Sequence, residues 1–91
     1  MHVERHVDPA QFLKATLASG VPSPAMVAFL HAWVDGLLRA SALSRSFIAS
    51  AHEDRLQGFV LQRDDWPAVL GCCTRAAATA FADALAADAV A

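Results

Sequence analysis

Two short apolar runs, separated by a polar turn, stand in the middle of the chain and limit what it can fold into. Apolar and polar or small side chains alternate over residues 46–52, and the run over residues 55–63 has Phe59-Val60-Leu61 at its centre. The acidic pair Glu53-Asp54 lies between the two runs. Two strand-like runs joined by a short polar turn predict an antiparallel β-hairpin.

Helical patterns flank this hairpin on both sides. Asp8-Pro9 and Ser23-Pro24 each place a capping side chain before a proline, which is typical of a helix start. The first helix is predicted to end at Gly20, and the second to run over residues 24–42. A third, Ala-rich helix is predicted over residues 74–88, because Ala has the highest helix propensity.

Apolar residues within these helices define the expected core. In the second helix they recur with the helical period at Met26, Phe29, Leu30, Trp33, Val34, Leu37 and Leu38. His31, Asp35 and Arg39 are expected on the opposite, solvated face. In the third helix Phe81 and Leu85 are the expected buried residues.

Two weaker strand signals complete the order of elements. Residues 2–7 alternate weakly, and residues 66–71 are predicted as a third meander strand with Pro67 at its beginning, where a missing N–H is tolerated. The predicted order is strand, helix, helix, three-strand antiparallel meander, helix. This is the α+β class, with helices packed on an antiparallel sheet. A chain of 91 residues is expected to form one domain over residues 1–91.

Charge and hydropathy exclude several classes of partner. Seven Lys and Arg residues against nine Asp and Glu residues give a net charge of −2, which argues against a broad nucleic-acid or anionic-membrane footprint. No apolar stretch has the length of a membrane span, and the polar N-terminus does not resemble a signal peptide. A cytoplasmic protein is therefore expected. A single Lys among six Arg, with 21 Ala, is associated with GC-rich bacterial coding sequences.

Cys72 and Cys73 are the candidate nucleophiles. Cys73 precedes the third predicted helix, and the positive end of a helix dipole favours a thiolate. His52 would be the base if the meander brought it close. The favoured interpretation is that these cysteines pack as small apolar residues, with their exact role left open.

The remaining polar groups are weaker candidates. His2 and His6 have a spacing that occurs in zinc sites, but the adjacent cysteines do not, and no metal site is expected. The acidic pairs Glu53-Asp54 and Asp64-Asp65 are expected as solvated turn residues rather than as a cation site. Trp33 is expected in the core, and Trp66 at a rim where an aromatic contact with a partner is feasible.

The spacing of the glycines argues against a bound cofactor. A diphosphate is held by backbone N–H groups of a glycine-rich turn at the start of a helix. Gly20, Gly36, Gly58 and Gly71 are too far apart for any two to share one loop. No nucleotide or coenzyme A site is therefore expected in the isolated chain.

Three stretches give the chain a resemblance to a known family. They are residues 6–13 (HVDPAQFL), residues 46–63 (SFIASAHEDRLQGFVLQR), and residues 66–71 (WPAVLG) with the later FADAL at residues 81–85. They resemble the first strand and helix, the central hairpin, and the next strand and helix of GNAT-type N-acetyltransferases. The resemblance implies a GNAT-like half-fold, corresponding to the N-terminal half of such an enzyme.

The family holds the acetyl-CoA pyrophosphate with Arg/Gln-x-x-Gly-x-Gly/Ala between a strand and a helix. This sequence has no such motif, so no catalytic or cofactor residue is assigned, and acetyl-CoA is expected only if another chain completes the fold. The resemblance implies a sheet edge that missing strands would cover, and hence association with a second copy or a complementary chain. The alternative is a small non-enzymatic α+β interaction domain.

Overall fold

The computed structural model describes residues 1–39, 45–64 and 66–90. Over these ranges the elements are β1 (His2–His6), α1 (Pro9–Ala18), α2 (Pro24–Leu38), β2 (Ser46–His52), β3 (Leu56–Arg63), β4 (Val69–Gly71) and α3 (Arg75–Val90). The predicted α+β class is confirmed, and the elements follow one another in the predicted order.

The strands form a single antiparallel sheet in the order β1-β2-β3-β4. The predicted hairpin is confirmed as β2 and β3, with Ser46 opposite Arg63. β1 joins the meander beside β2, with His6 opposite Ile48. The predicted three-strand meander is therefore part of a four-stranded sheet whose edges are β1 and β4.

The third meander strand starts later than predicted, at Val69 rather than at Trp66. Asp64 adopts a left-handed conformation with φ of 52°, and the Trp66 N–H donates to the carbonyl oxygen of Arg63 at 3.0 Å. This turn occupies the start of the predicted strand, and Pro67 has no N–H to donate to a ladder. Only the three residues of β4 pair with β3.

Helices cover both faces of the sheet and create two apolar clusters. The cluster on the side of α1 and α2 contains the buried residues Phe12, Leu30, Val34, Ile48, Phe59 and Leu61. The cluster on the side of α3 contains the buried residues Phe47, Ala49, Ala51, Val60, Ala77 and Phe81. The small alanines of the second cluster let the α3 backbone approach the sheet closely. Phe81 is buried as predicted, whereas Leu85 is only half-buried.

The predicted capping residues start all three helices. The bonds are from the Ala10 N–H to Asp8 Oδ1 (3.0 Å), from the Met26 N–H to Ser23 Oγ (3.4 Å), and from the Ala77 N–H to Thr74 Oγ1 (3.1 Å). Each bond satisfies a first-turn N–H that has no partner within its helix.

The apolar stripe of α2 is buried along its centre and exposed along its flanks. Leu30 and Val34 are buried, whereas Phe29 and Leu38 are 38% and 58% exposed. A stripe of seven residues is wider than the strip of one helix that can face the sheet. α2 ends at Leu38, and the predicted continuation over residues 40–42 lies outside the described residues.

Candidate functional site

A buried serine hydroxyl lies between two histidine rings on the α1 and α2 side of the sheet. Ser50 Oγ is 2.8 Å from His6 Nε2 and 2.9 Å from His52 Nε2. Ser50 is only 1% exposed, and the side chain of His6 is 9% exposed. We call these three residues the His-Ser-His cluster.

The register of β1 and β2 creates this cluster. Glu4 lies opposite Ser50, and His6 lies opposite Ile48, so His6 is the diagonal neighbour of Ser50. Ser50 lies opposite Phe59, a member of the α1 and α2 cluster, which fixes the face. Alternation along β2 and an irregularity between Ala51 and His52 bring the second ring to the same hydroxyl.

The surroundings of His6 disfavour its charged form. Burial lowers the pKa of His6 below its ordinary value, and the nearby His52 lowers it further, while Glu4 opposes both effects. The Glu4 carboxylate is 4.0 Å from His6 Nε2, and the Phe12 ring meets the His6 ring edge-on at 5.2 Å. An apolar ring on one side and a single distant carboxylate leave the neutral imidazole favoured.

A serine within hydrogen-bond distance of a histidine has the spacing of a nucleophile and its base. Two features separate this cluster from such a site. Ser50 is buried, so a substrate cannot reach its oxygen. Glu4 approaches Nε2 of His6, the nitrogen that already faces Ser50, whereas an orienting carboxylate would bond Nδ1. The arrangement therefore lacks the access and the orienting carboxylate that acyl transfer needs.

The expectation that Cys73 favours a thiolate is wrong. Burial raises the pKa of Cys73. Its thiol donates to the carbonyl oxygens of Phe59 (3.5 Å) and Gly71 (3.4 Å). Cys73 packs with the α3 cluster, while His52 bonds Ser50 on the opposite face. The structure therefore does not bring the two proposed partners together, and Cys73 packs as a small buried residue.

A close backbone approach explains the position of Cys73. Gly58 adopts a φ of 154°, and a Cβ atom built there would lie 2.6 Å from Cys73 Sγ. The Thr74 N–H also donates to the carbonyl oxygen of Gln57 at 2.9 Å. The turn into α3 is thus held against β3. Cys72, which is exposed, takes the left-handed conformation that this turn needs, with φ of 55°.

The other polar candidates remain apart. His2 and His6 are four residues apart on one strand, which corresponds to about 13 Å, too far for one ion. Glu53 and Asp54 are exposed at the hairpin turn, where they line a shallow, open hollow with Arg55 and Gln57. Across residues 1–39, 45–64 and 66–90, no three His, Cys, Asp or Glu residues are grouped to hold a metal ion.

Asp64 has a structural role at the far end of the hairpin. Its Oδ1 accepts the Arg45 N–H at 2.8 Å, and its own N–H donates to the Arg45 carbonyl oxygen at 2.7 Å. Asp65, the other member of the acidic pair Asp64-Asp65, lies outside the described residues.

Trp33, which was expected in the core, is half-buried at the margin of the α1 and α2 cluster.

The edge strand β4 presents an apolar side chain to solvent on each face of the sheet, with Val69 opposite Leu61 and Leu70 opposite Val60. Val69 is 37% exposed, Leu70 is 49% exposed, and Trp66, just before the strand, is 57% exposed. The Arg63 guanidinium lies over the Trp66 ring, 5.2 Å from its centre. Within the described part of the chain, β4 pairs only with β3, so its outer backbone groups carry no strand partner.

The chain matches no known family model, no curated protein and no solved structure. Among the helices that the structure describes, none combines the length and apolar character needed to cross a bilayer.

Sequence reasoning named His6 and His52 separately but missed Ser50, which joins them. A small polar residue in the centre of an otherwise apolar strand was the available signal. Its meaning depends on the pairing of β1 with β2, and His6 and Ser50 are 44 positions apart in the chain.

Proposed function

We propose that this chain is the N-terminal half of a GNAT-like fold, is not catalytic alone, and acts by associating with a second copy of itself through β4. The observation that carries the proposal is the uncharged, apolar outer edge of β4. We place the association in the cytoplasm, where the free thiols of Cys72 and Cys73 stay reduced.

The two edges of the sheet differ in the side chains they carry. β1 includes Glu4 and Arg5, and charged side chains discourage a further strand from pairing. β4 has no charged residue, and its Val69 and Leu70 side chains are exposed together with the preceding Trp66. Exposed apolar side chains beside free backbone groups favour the addition of a strand at β4.

A second copy of β4 fits this edge for a geometric reason. Two identical strands related by a twofold axis pair antiparallel, so each contact occurs twice and the interface closes. β4 already extends the sheet in the antiparallel sense. Because β4 has only three residues, the contact is small, and we expect a weak dimer that forms at high protein concentration.

The GNAT resemblance supports the same edge. Its three stretches fall on β1 with the start of α1, on the β2–β3 hairpin, and on β4 followed by α3. The resemblance implies further strands beyond the meander, and β4 is the last strand on that side. Another chain at β4 would take the place of those strands.

The N-terminus of α3 favours the second candidate, a non-enzymatic α+β interaction domain. The Thr74 N–H is bonded to Gln57, and the Ala77 N–H is bonded to the Thr74 hydroxyl. Cys73 fills the turn, with its thiol bonded to backbone carbonyl oxygens. Backbone N–H groups that are already bonded are poor ligands for a diphosphate. In this alternative the β4 edge serves association, and acetyl-CoA has no role.

Sedimentation velocity over a wide concentration range tests the association. The wild-type chain is expected to rise from 9.6 kDa toward twice that mass. Leu70→Lys places a charge on the edge and is expected to abolish the rise. Leu38→Lys is the matched control, since Leu38 is 58% exposed at the end of α2, and it is expected to behave as wild type.

A constant mass of 9.6 kDa in the wild-type chain, or equal loss of association in both variants, contradicts the role of β4. Circular dichroism checks that both variants stay folded. Calorimetric titration of the chain with acetyl-CoA is expected to give no binding heat. Tight binding by the isolated chain contradicts both candidates, because each assigns it no cofactor site of its own.

A further inference from the structure

The His-Ser-His cluster lies away from the proposed association surface. It joins β1 to β2, whereas the outer edge of β4 lies beyond β3. The number of protons that the cluster can hold follows from the donors and acceptors of its three side chains.

The hydroxyl of Ser50 imposes different tautomers on the two rings. A hydroxyl donates one hydrogen, and a neutral imidazole has one N–H donor and one acceptor nitrogen. With both Nε2 atoms within 2.9 Å of Ser50 Oγ, one ring donates its Nε2–H, and the other receives the hydroxyl hydrogen. The Ser50 oxygen could accept from both rings through its two lone pairs, but the buried hydroxyl hydrogen would then have no acceptor in the cluster. Both ring bonds and the hydroxyl hydrogen are satisfied together only when the two neutral rings are protonated on opposite nitrogens.

The cluster can accept one proton without losing a bond. The ring that donates through Nε2 takes the proton on Nδ1 and remains a donor to Ser50. A second proton must go to the Nε2 atom that accepts the serine hydrogen, which leaves a buried hydroxyl hydrogen without an acceptor. It would also place two cations close together, because the distances to Oγ keep the Nε2 atoms within about 5.7 Å of each other.

The surroundings supply little to offset a second charge. On β1, Glu4 lies 4.0 Å from His6 Nε2, and its side chain is 55% exposed, while His2 lies opposite His52. From the α1 side the contact is the uncharged Phe12 ring. The charged α1 residue Lys14 is exposed, and the exposed Asp8 carboxylate already accepts the N–H at the start of that helix.

We propose that His6, Ser50 and His52 fasten β1 to β2 near neutral pH, that the cluster takes up one proton without losing a bond, and that a second proton loosens β1. The bond from His6 to Ser50 is the side-chain link between these strands on that face. On the other face Arg5 holds β1 through Asp88 at 2.8 Å and through the Phe47 ring. Loss of the first link leaves β1, an edge strand, with side-chain ties on one face only, in addition to its backbone pairing with β2.

Nitrogen NMR of the histidine rings in the wild-type chain tests the proton count without any substitution. At neutral pH one of His6 and His52 is expected as the Nε2–H tautomer and the other as the Nδ1–H tautomer. On acidification the two rings are expected to titrate in two separate steps.

Two variants test separately the hydrogen bonds to Ser50 and the electrostatic effect of His52 on His6. Ser50→Ala is expected to abolish the pairing of opposite tautomers, and His52→Gln is expected to raise the titration midpoint of His6.

Amide hydrogen exchange measures how firmly β1 is held. The protection factors of β1 are expected to fall on acidification before those of β3. The same tautomer on both rings, a His6 midpoint unmoved by His52→Gln, or equal loss of protection in β1 and β3 would overturn the proposal.

Discussion

Gly71 is a residue at which one added methyl group should be costly. The ring of the fully buried Phe59 lies across it, and a Cβ atom at position 71 would overlap that ring. Phe59 belongs to the apolar cluster beneath α1 and α2, so it cannot move without disturbing its neighbours. The position of the Phe59 ring on β3 thus depends on the absence of a side chain at Gly71 on β4.

We expect Gly71→Ala to lower the free energy of unfolding by about 1–3 kcal/mol through overpacking. Gly36→Ala is the control, because nothing lies within 4 Å of a Cβ atom at that helical position. The control is expected to raise the free energy of unfolding by about 0.5–1 kcal/mol, since Ala favours helix over Gly. Urea denaturation measures both, and equal effects of the two changes would contradict the packing of Phe59.

His6 should make stability depend on pH. Burial keeps its folded-state pKa below the ordinary value of 6.5, so in that window the unfolded chain binds more protons than the folded chain. The free energy of unfolding is therefore expected to fall as the pH is lowered through 6.5 toward the folded-state pKa. Denaturation of wild type and His6→Gln over a pH series isolates this effect, because other groups titrate in both. If the free energy of unfolding of wild type minus that of His6→Gln stays constant with pH, or grows with acidification, this contribution of His6 is excluded.

Cys73 illustrates why reactivity could not be predicted from position in the sequence. Its place before a helix favoured a thiolate, but the opposing effect of burial depends on how closely α3 approaches β3. That approach is set by Gly58, fifteen positions earlier, where a side chain would meet the Cys73 sulfur. Local sequence does not carry this information.

At the scale of elements, α3 depends on the cap at its start. The Thr74 hydroxyl accepts the Ala77 N–H, so Thr74→Ala is expected to lower the free energy of unfolding by about 1 kcal/mol. Thr79→Ala is the control, since the exposed Thr79 hydroxyl only donates back to Arg75 within the helix. It is expected to stay within about 0.5 kcal/mol of wild type. If thermal denaturation finds the two variants equally stable, the cap contributes nothing.

Elements set by neighbouring residues were predictable, and elements set by distant pairing were not. Capping residues followed by proline located α1 and α2, and alternation located the β2–β3 hairpin, because both signals are local. The start of β4 was missed because the turn at Asp64 takes up residues that have strand-like composition. β1 pairs with β2 although α1 and α2 separate the two strands in the chain, and no local pattern specifies so distant a pairing.

At the scale of the whole molecule, helices on both faces of the sheet leave its two edges as the places where backbone groups meet solvent. The β1 edge carries charges and is tied to α3 through Arg5 and Asp88. The residues of β4 itself are uncharged, with Val69 and Leu70 exposed, and the Arg63 guanidinium lies over the neighbouring Trp66 ring. The resemblance implied an open sheet edge, whereas no pattern in the sequence indicated the His-Ser-His cluster at the opposite edge.

Isotope-filtered NMR on a mixture of differently labelled chains, at concentrations where association is expected, tests most directly whether β4 pairs with a second β4. If β4 pairs with β4, cross-peaks between chains are expected that involve Val69 and Leu70, with Trp66 beside them. Cross-peaks confined to another surface, such as the exposed Phe29 on α2, or none between chains that sediment as dimers, would contradict it.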